Sequence, residues 1–543
     1  MTIKNFRYFR KRKQLESLSI SPVSIAILET TQVLRSLVMK SMRSRGVPMF
    51  FFVSAIMLSS LDLVANETLL AGAAKVDITD RDAGPVHDPL FAKALVLKVD
   101  HETAVLITVD AVAIGEIGHI GNDYLPAVRK QLLSEFNIDP KRVLANASHC
   151  HGVVCDDVLE KTIEVVRQAH ARLEPVRLGV GTGHENEIME NRRLILKSGR
   201  TVDVRHAYSL PANEEVAEVG PVDPEIGLLR LDRLDGSTLA VIFNFACHPI
   251  QGVPGGRNTA DLSGIAGTII EENLGPDAIA LFVQGCGGDI NPVNYKNVDH
   301  PRSAVPLGQS LALNSLRALR KIECRPDKRL AVLHQTLTLP RADRTQRILE
   351  LETEQERLIS SLRGTSLNLE TFMQLMVKYN LAGDFPSGFS HRYLREDAIA
   401  KDDLRQLDIE NLRNMKAYLE NIHTMEALTR LRTNLNLLRR HQMELEESGK
   451  RTIDVEMVGL RVGDFVLLTF PGELTVQIGL NLKTQSPHKP TFVAGYTNGY
   501  IYYAPTAEQL KNVGGAQEDS DCILAPDWQL QFERAALDLL KRL

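Results

Sequence analysis

A chain of 543 residues is longer than one hydrophobic core usually organises, so a large domain carrying an insertion or appendage is expected. Its 44% hydrophobic, 24% charged and 5% aromatic residues are those of a soluble globular protein, with no excess of Pro, Gly or polar low complexity that would favour disorder. A formal charge of -5, with no stripe of Lys and Arg interleaved with aromatics, argues against nucleic acid as a partner.

Residues 1–66 read as an N-terminal extension and signal peptide. A stretch rich in Lys and Arg precedes the apolar run from Val47 to Leu58, which is short for a membrane span and the right length for the apolar region of a signal peptide. Cleavage near Ala65 makes the protein exported, periplasmic or secreted. An uncleaved signal anchor is the alternative, and Met39 or Met42 is a more ordinary start for such a signal than Met1.

From 67 to 341, short apolar runs alternate with amphipathic stretches, which predicts an α/β fold, a layered mixed sheet core with helices. Strands are expected over 94–99, 104–109, 142–145, 239–245 and 279–283, and helices over 124–136, 158–172, 262–272 and 303–319. The last three strands each run into a segment containing Gly, Pro or His, where ligands bind in layered α/β folds. Between 342 and 451 Leu, Glu, Arg, Gln and Asn dominate and apolar residues recur three and four apart. This predicts a long all-helical insertion, with helices over 345–362 and 410–447 and a loop at 383–390. From 452 to 543 the core pattern resumes, with a hairpin over 452–470 turning at Val462-Gly463-Asp464 and a helix over 472–483. Six scattered cysteines are too few for a disulfide framework and leave room for one or two bridges.

Five segments carry side chains capable of chemistry. His149 and His151, in Asn146-Ala147-Ser148-His149-Cys150-His151-Gly152, share one face of an extended chain, which suits a metal site or a structural pair. In Phe245-Ala246-Cys247-His248-Pro249 the proline takes the chain out of the sheet and leaves His248 at its mouth, as a ligand or a capped structural residue. Three glycines in Gln284-Gly285-Cys286-Gly287-Gly288-Asp289-Ile290-Asn291-Pro292 permit a backbone-lined pocket with Asp289 and Asn291 as polar arms, or an ordinary turn. Glu473 of Pro471-Gly472-Glu473-Leu474 is expected in the first turn of a helix, where the helix dipole favours a carboxylate. The stretch Gly495-Tyr496-Thr497-Asn498-Gly499-Tyr500-Ile501-Tyr502-Tyr503 is an aromatic loop after a strand at 491–494, fit for a groove or a core.

In this order the five segments resemble the zinc-binding and catalytic segments of the neutral, non-lysosomal ceramidases, over about residues 72–340 and 452–525. The resemblance implies a zinc-dependent amidohydrolase that cleaves an N-acyl sphingoid lipid or a related N-acyl substrate. It implies Zn2+ held by His149, His248 and Glu473, with Tyr503 favoured over Tyr500 as the tyrosine of the set. It also implies His151 beside the metal, Arg192 of Glu190-Asn191-Arg192-Arg193 as a substrate contact, and Asp289 and Asn291 in the catalytic segment. Zinc in such a site lowers the pKa of a bound water to about 7 and supplies the nucleophile, while His151 shuttles a proton to the leaving amine.

The family's Gly-Asp-x-Ser-Pro pattern reads Gly288-Asp289-Ile290-Asn291-Pro292, so an amide stands in place of the serine. An amide donates a hydrogen bond to a developing oxyanion but cannot relay a proton as a hydroxyl does. That departure keeps two other readings open, a ligand-binding protein without turnover and a metal-dependent esterase with a different substrate. The expected partner is a small-molecule or lipid substrate, with peripheral membrane contact as a corollary of an uncleaved anchor.

Overall fold

The computed structural model describes residues 69–203, 211, 213–252, 258–293, 295, 303–381 and 390–543. The signal-peptide reading of 1–66 lies outside the described residues, as does the expected loop at 383–390 except for Ser390.

Strands form where β-branched and aliphatic residues run together: β1 (Leu70–Asp77), β2 (Phe91–Val99), β3 (Glu102–Val109), β4 (Val143–Ala147), β5 (Glu174–His184), the short β6 (Met189–Asn191), β7 (Glu225–Arg233), β8 (Thr238–Phe245), β9 (Ile279–Gln284) and the short β10 (Ile290–Pro292). Helices alternate with them: α1 (Tyr124–Phe136), α2 (Val158–Ala171), α3 (Asp261–Leu274) and α4 (Val305–Leu319). Eight of the strands make one sheet in the order β9-β8-β7-β5-β1-β2-β3-β4. Its two outermost pairs, β8 with β9 and β3 with β4, are parallel, and the other pairs are antiparallel. A parallel pair needs a crossover, which α3 and α1 supply.

A second sheet, in the order β11-β12-β13-β15, is built from β11 (Leu330–Pro340), β12 (Thr452–Val462), β13 (Phe465–Thr469) and, after the short β14 (Glu473–Leu474), β15 (Phe492–Ala494). β12 and β13 form the expected hairpin, with Gly463 at φ 60° in the turn. The inner faces of the two sheets share one core, in which Leu95, Leu229 and Ile242 meet Leu460, Phe465 and Phe492. On the outer face of the first sheet Val241, Phe243 and Phe245 of β8 pack with α3 and α4. β8 is therefore buried along its whole length and reads in sequence as an apolar run from Leu239 to Phe243, with Asn244 the one polar residue before Phe245, rather than as an alternating pattern.

β11 and β12 pair antiparallel from Leu330↔Val462 to Pro340↔Thr452, so the helices between them leave and re-enter at the end of one strand pair. They are α5 (Thr345–Ser361), α6 (Leu369–Leu381), α7 (Ser390–Ala398) and α8 (Asp403–Ser448). α8 has 46 residues and a length of about 69 Å. It begins ahead of residue 410 because the Glu396 carboxylate accepts the N–H of Leu404 in its first turn. Leu431, Leu435 and Leu438, on one face, join the core of the second sheet, along with α9 (Val476–Gln485) and, beyond the short α10 (Gln517–Ser520), α11 (Trp528–Arg542). All six cysteines are free thiols. Among the described residues no helix is long and apolar enough to cross a membrane.

Candidate metal centre

The site forms where chain leaves the ends of β4 and β8. Just past β4, His149 adopts φ 65°, a left-handed conformation that costs a residue with a Cβ about 1–3 kcal/mol. It is held there by its own N–H on Ala111 O (2.9 Å) and by Ser148 N–H on Val109 O (2.9 Å). Just past β8, the His248 N–H donates to Ile290 O at 3.0 Å.

Glu473 is not in the first turn of a helix. It pairs as part of β14, in parallel, with Tyr503–Ala504, here β16, and α9 begins only at Val476. The reason is that Asp289 occupies the helix end: its Oδ1 accepts the Val476 N–H at 2.8 Å, the electrostatic role expected of Glu473. Gly288 permits this packing, because a Cβ there would come within 2.5 Å of Glu473 O.

His149 Nε2 lies 3.6 Å and His248 Nε2 3.1 Å from Glu473 Oε2, and one donor atom from each of the three residues lies within 4.8 Å of the others. All three are buried, each 2% exposed. His149 Nδ1 is 2.6 Å from Val112 O and His248 Nδ1 is 3.0 Å from Ile290 O. A carbonyl only accepts, so each Nδ1 carries a proton and each Nε2 turns inward as the ligating nitrogen. Atoms about 2.0–2.1 Å from a tetrahedral zinc are about 3.3–3.4 Å apart, a spacing that the 3.1 and 3.6 Å separations bracket. The donor set fits a metal ion.

Around it, Tyr500 Oη donates to Glu473 Oε1 (2.5 Å) and Tyr496 Oη to Oε2 (3.2 Å), and the Tyr496 ring lies against His149 with centroids 4.2 Å apart. Burial alone drives the Glu473 pKa up, but His149, His248 and the Tyr500 hydrogen bond outweigh it and hold the carboxyl well below its ordinary value. Burial, then the Glu473 charge, push the Tyr496 and Tyr500 phenols well up, which keeps them protonated as donors.

His151 is exposed, its ring edge-on to His149 at 5.3 Å. Tyr503 is buried with its ring beneath the Arg192 guanidinium (5.5 Å), which it also hydrogen-bonds. Arg192 donates from Nε to Glu518 Oε1 (2.6 Å), from Nη1 to Asn291 Oδ1 (3.2 Å) and from Nη2 to Gly288 O. Beyond Val476, Asp289 accepts from Gln509 (3.3 Å) and pairs with Arg193 (3.4 Å). The structure thus joins His149, His248 and Glu473, puts His151, Tyr496 and Tyr500 against them, and sets Arg192, Asp289, Asn291 and Tyr503 in an adjoining network.

Tyr496 and Glu518 were not singled out from sequence. Tyr496 could have been weighed with the other tyrosines of its loop. In the acidic stretch Glu518-Asp519-Ser520-Asp521 the first three residues are fully buried.

The two packed sheets, at whose strand ends two imidazoles and a carboxylate gather, make up a fold similar to that of solved ceramidases. The chain is similar to the crystal structure of neutral ceramidase from Pseudomonas aeruginosa, with TM-score 0.55 and 16% identity over 88% of this chain and 75% of that one. It is also similar to a ceramidase complexed with C2, with TM-score 0.57 and 15% identity over 88% and 76% of the two chains. No protein-family model and no curated protein matches the sequence.

Proposed function

We propose that the chain is a zinc-dependent hydrolase that cleaves the amide bond of an N-acyl sphingoid lipid or a related N-acyl substrate. The observation that carries this reading is the pair of inward Nε2 atoms closing on Glu473 Oε2. Zinc, when bound, supplies a Lewis acid and an acidified water. His149, His248 and Glu473 would hold it, with Tyr503 the fourth ligand that the family resemblance implies and Tyr500 the alternative. Tyr496 and Tyr500 orient the carboxylate through their hydrogen bonds.

His151, exposed beside His149, takes the proton that the attacking water gives up and delivers it to the departing nitrogen, so that the amine leaves neutral. Because Arg192 donates to Asn291 Oδ1, the amide is oriented with its NH2 turned away from the guanidinium, where it donates to the scissile carbonyl oxygen. Arg192, committed to Glu518, Asn291, Gly288 and Tyr503, acts on substrate through Asn291, and Asp289 secures α9 behind Glu473. Segments 67–341 and 452–543 make up the catalytic core, 342–451 is an insertion in it, and 1–66 directs export.

The test is to offer the purified chain, loaded with zinc, a panel of N-acyl sphingosines, N-acyl amino acids and simple esters, with products read by mass spectrometry. Fatty acid should be released from N-acyl substrates, and His149→Ala, His248→Ala or a chelator should abolish both zinc and turnover. Saturable binding without turnover would identify a binding protein, and turnover of esters alone an esterase. A folded chain that takes up no zinc sinks the metal centre.

A further inference from the structure

The far end of α8 grips the loop that carries the site's tyrosines. His441, buried at 4% exposure, has Nε2 2.7 Å from Asp521 Oδ1, the oxygen that also accepts from Arg440 Nη2 at 2.8 Å. The His441 ring meets Tyr502 edge-on at 4.6 Å, and the Arg440 guanidinium covers the same ring at 5.1 Å. Asp521 and Tyr502 are tied in turn to the tyrosine loop beside the metal centre. Tyr503 N–H donates to Asp521 O (3.1 Å), Tyr502 bridges to Cys522, and the Tyr502 ring packs edge-on against Tyr500 at 5.5 Å. Tyr500 in turn donates to Glu473.

Tyr502 sits at φ 64°, a left-handed conformation that a tyrosine keeps only where its surroundings over-determine it. Arg440 and His441 supply that constraint from a helix anchored in the core by Leu431, Leu435 and Leu438.

We propose that Arg440 and His441 are positioning residues of the metal centre: their clamp on Asp521 and Tyr502 seats the Tyr500 phenol on Glu473 and so keeps the carboxylate in ligand geometry. The proposal rests on His149, His248 and Glu473 being the metal centre, and it makes the helical segment part of the active apparatus.

Four variants of the full chain test it. His441→Phe keeps a ring against Tyr502 and loses the Asp521 contact, and His441→Gln keeps a donor. Arg440→Met removes a guanidinium whose side chain is 42% exposed. Arg439→Met, next to Arg440 on α8, is the control, removing a 2.6 Å ion pair with Glu352 of α5. Zinc loss to a colorimetric chelator is followed for each, together with kcat and KM on a fluorescent N-acyl sphingosine.

The His441→Phe chain should lose zinc about 10-fold faster than wild type, within the range for outer partners of metal ligands, and its kcat should fall similarly with KM little changed. The glutamine variant should recover most of this, Arg440→Met should show a smaller loss in the same direction, and Arg439→Met should match wild type. Should His441→Phe fail to fold, Arg440→Met carries the comparison. Zinc loss unchanged in both clamp variants, a glutamine no better than phenylalanine, or an equally impaired Arg439→Met each overturn the proposal. A wild-type chain that binds zinc but hydrolyses nothing overturns the hydrolase reading alone, and the order of zinc-loss rates then still decides for or against the clamp.

Discussion

His248 Nε2 lies 3.1 Å from Glu473 Oε2, across 225 positions of sequence. With Nδ1 already donating to Ile290 O, a proton and a cation compete for the same Nε2 lone pair. Zinc binding should therefore release protons, and zinc affinity should fall on acidification. Titration calorimetry in two buffers of different ionisation enthalpy measures this, and an affinity that does not change with pH would contradict it.

Glu473→Gln leaves two imidazoles and no anion. Loss of a direct ligand should exceed the roughly 10–100-fold typical of outer partners, so zinc affinity should drop by more than about 100-fold. Wild type should melt at a higher temperature with zinc than with chelator, because an ion that binds only the folded chain stabilises it. At equal zinc concentration the variant's rise in melting temperature should be clearly smaller than that of wild type, and a rise as large as in wild type would remove Glu473 from the ligand set.

Arg192 and Glu518 form an ion pair with both side chains fully buried, 2.6 Å apart. Removing one partner strands the other charge, so Glu518→Gln or Arg192→Met should each cost about 3–5 kcal/mol in urea unfolding. The double variant should cost less than the sum of the two. Additive losses would show that the two charges are not coupled.

Asp261 heads α3 at φ 57°, and its oxygens accept the N–H groups of Gly252 (2.6 Å) and Leu262 (2.7 Å). Burial, only partly offset by those bonds, raises its pKa from 3.8 to about 6. A carboxyl raised in the folded state keeps its proton longer there, so its contribution to stability is present below about pH 4 and is lost as pH rises to about 6. The loss is on the order of 3 kcal/mol. Asp261→Asn, which the left-handed region tolerates, removes the titration. The melting temperature of the variant minus that of wild type should climb between about pH 4 and pH 6 and level off above. A flat difference rules the effect out.

Asn291→Ala removes the amide that the proposed function assigns as donor to the scissile carbonyl. Loss of one such donor costs about 100-fold or more in kcat, and zinc content should be unchanged. Single-turnover kinetics with metal analysis check both, and an unchanged kcat would place Asn291 outside the chemistry.

Local pattern was enough to read the layered core, because strands buried on both faces, such as Thr238–Phe245 and Ile279–Gln284, carry apolar runs of five residues, Leu239–Phe243 and Ile279–Val283. The same pattern put His149 and His248 at strand ends, where Pro249 and the polar segment after β4 mark the exit from the sheet. It misplaced Glu473 in a helix, because a carboxylate after Pro-Gly suits a helix start and nothing nearby announces that Asp289 already holds that position. Which nitrogen of each histidine faces inward, which tyrosines reach the carboxylate, and why Glu518 and Asp519 are buried were left to tertiary structure. Those outcomes depend on partners far along the chain, such as Arg192 and Arg193, each 326 positions from its acid. Periodicity reports only which face of an element is apolar, while the protonation and orientation of a buried polar group are set by whichever atoms folding brings within hydrogen-bond reach.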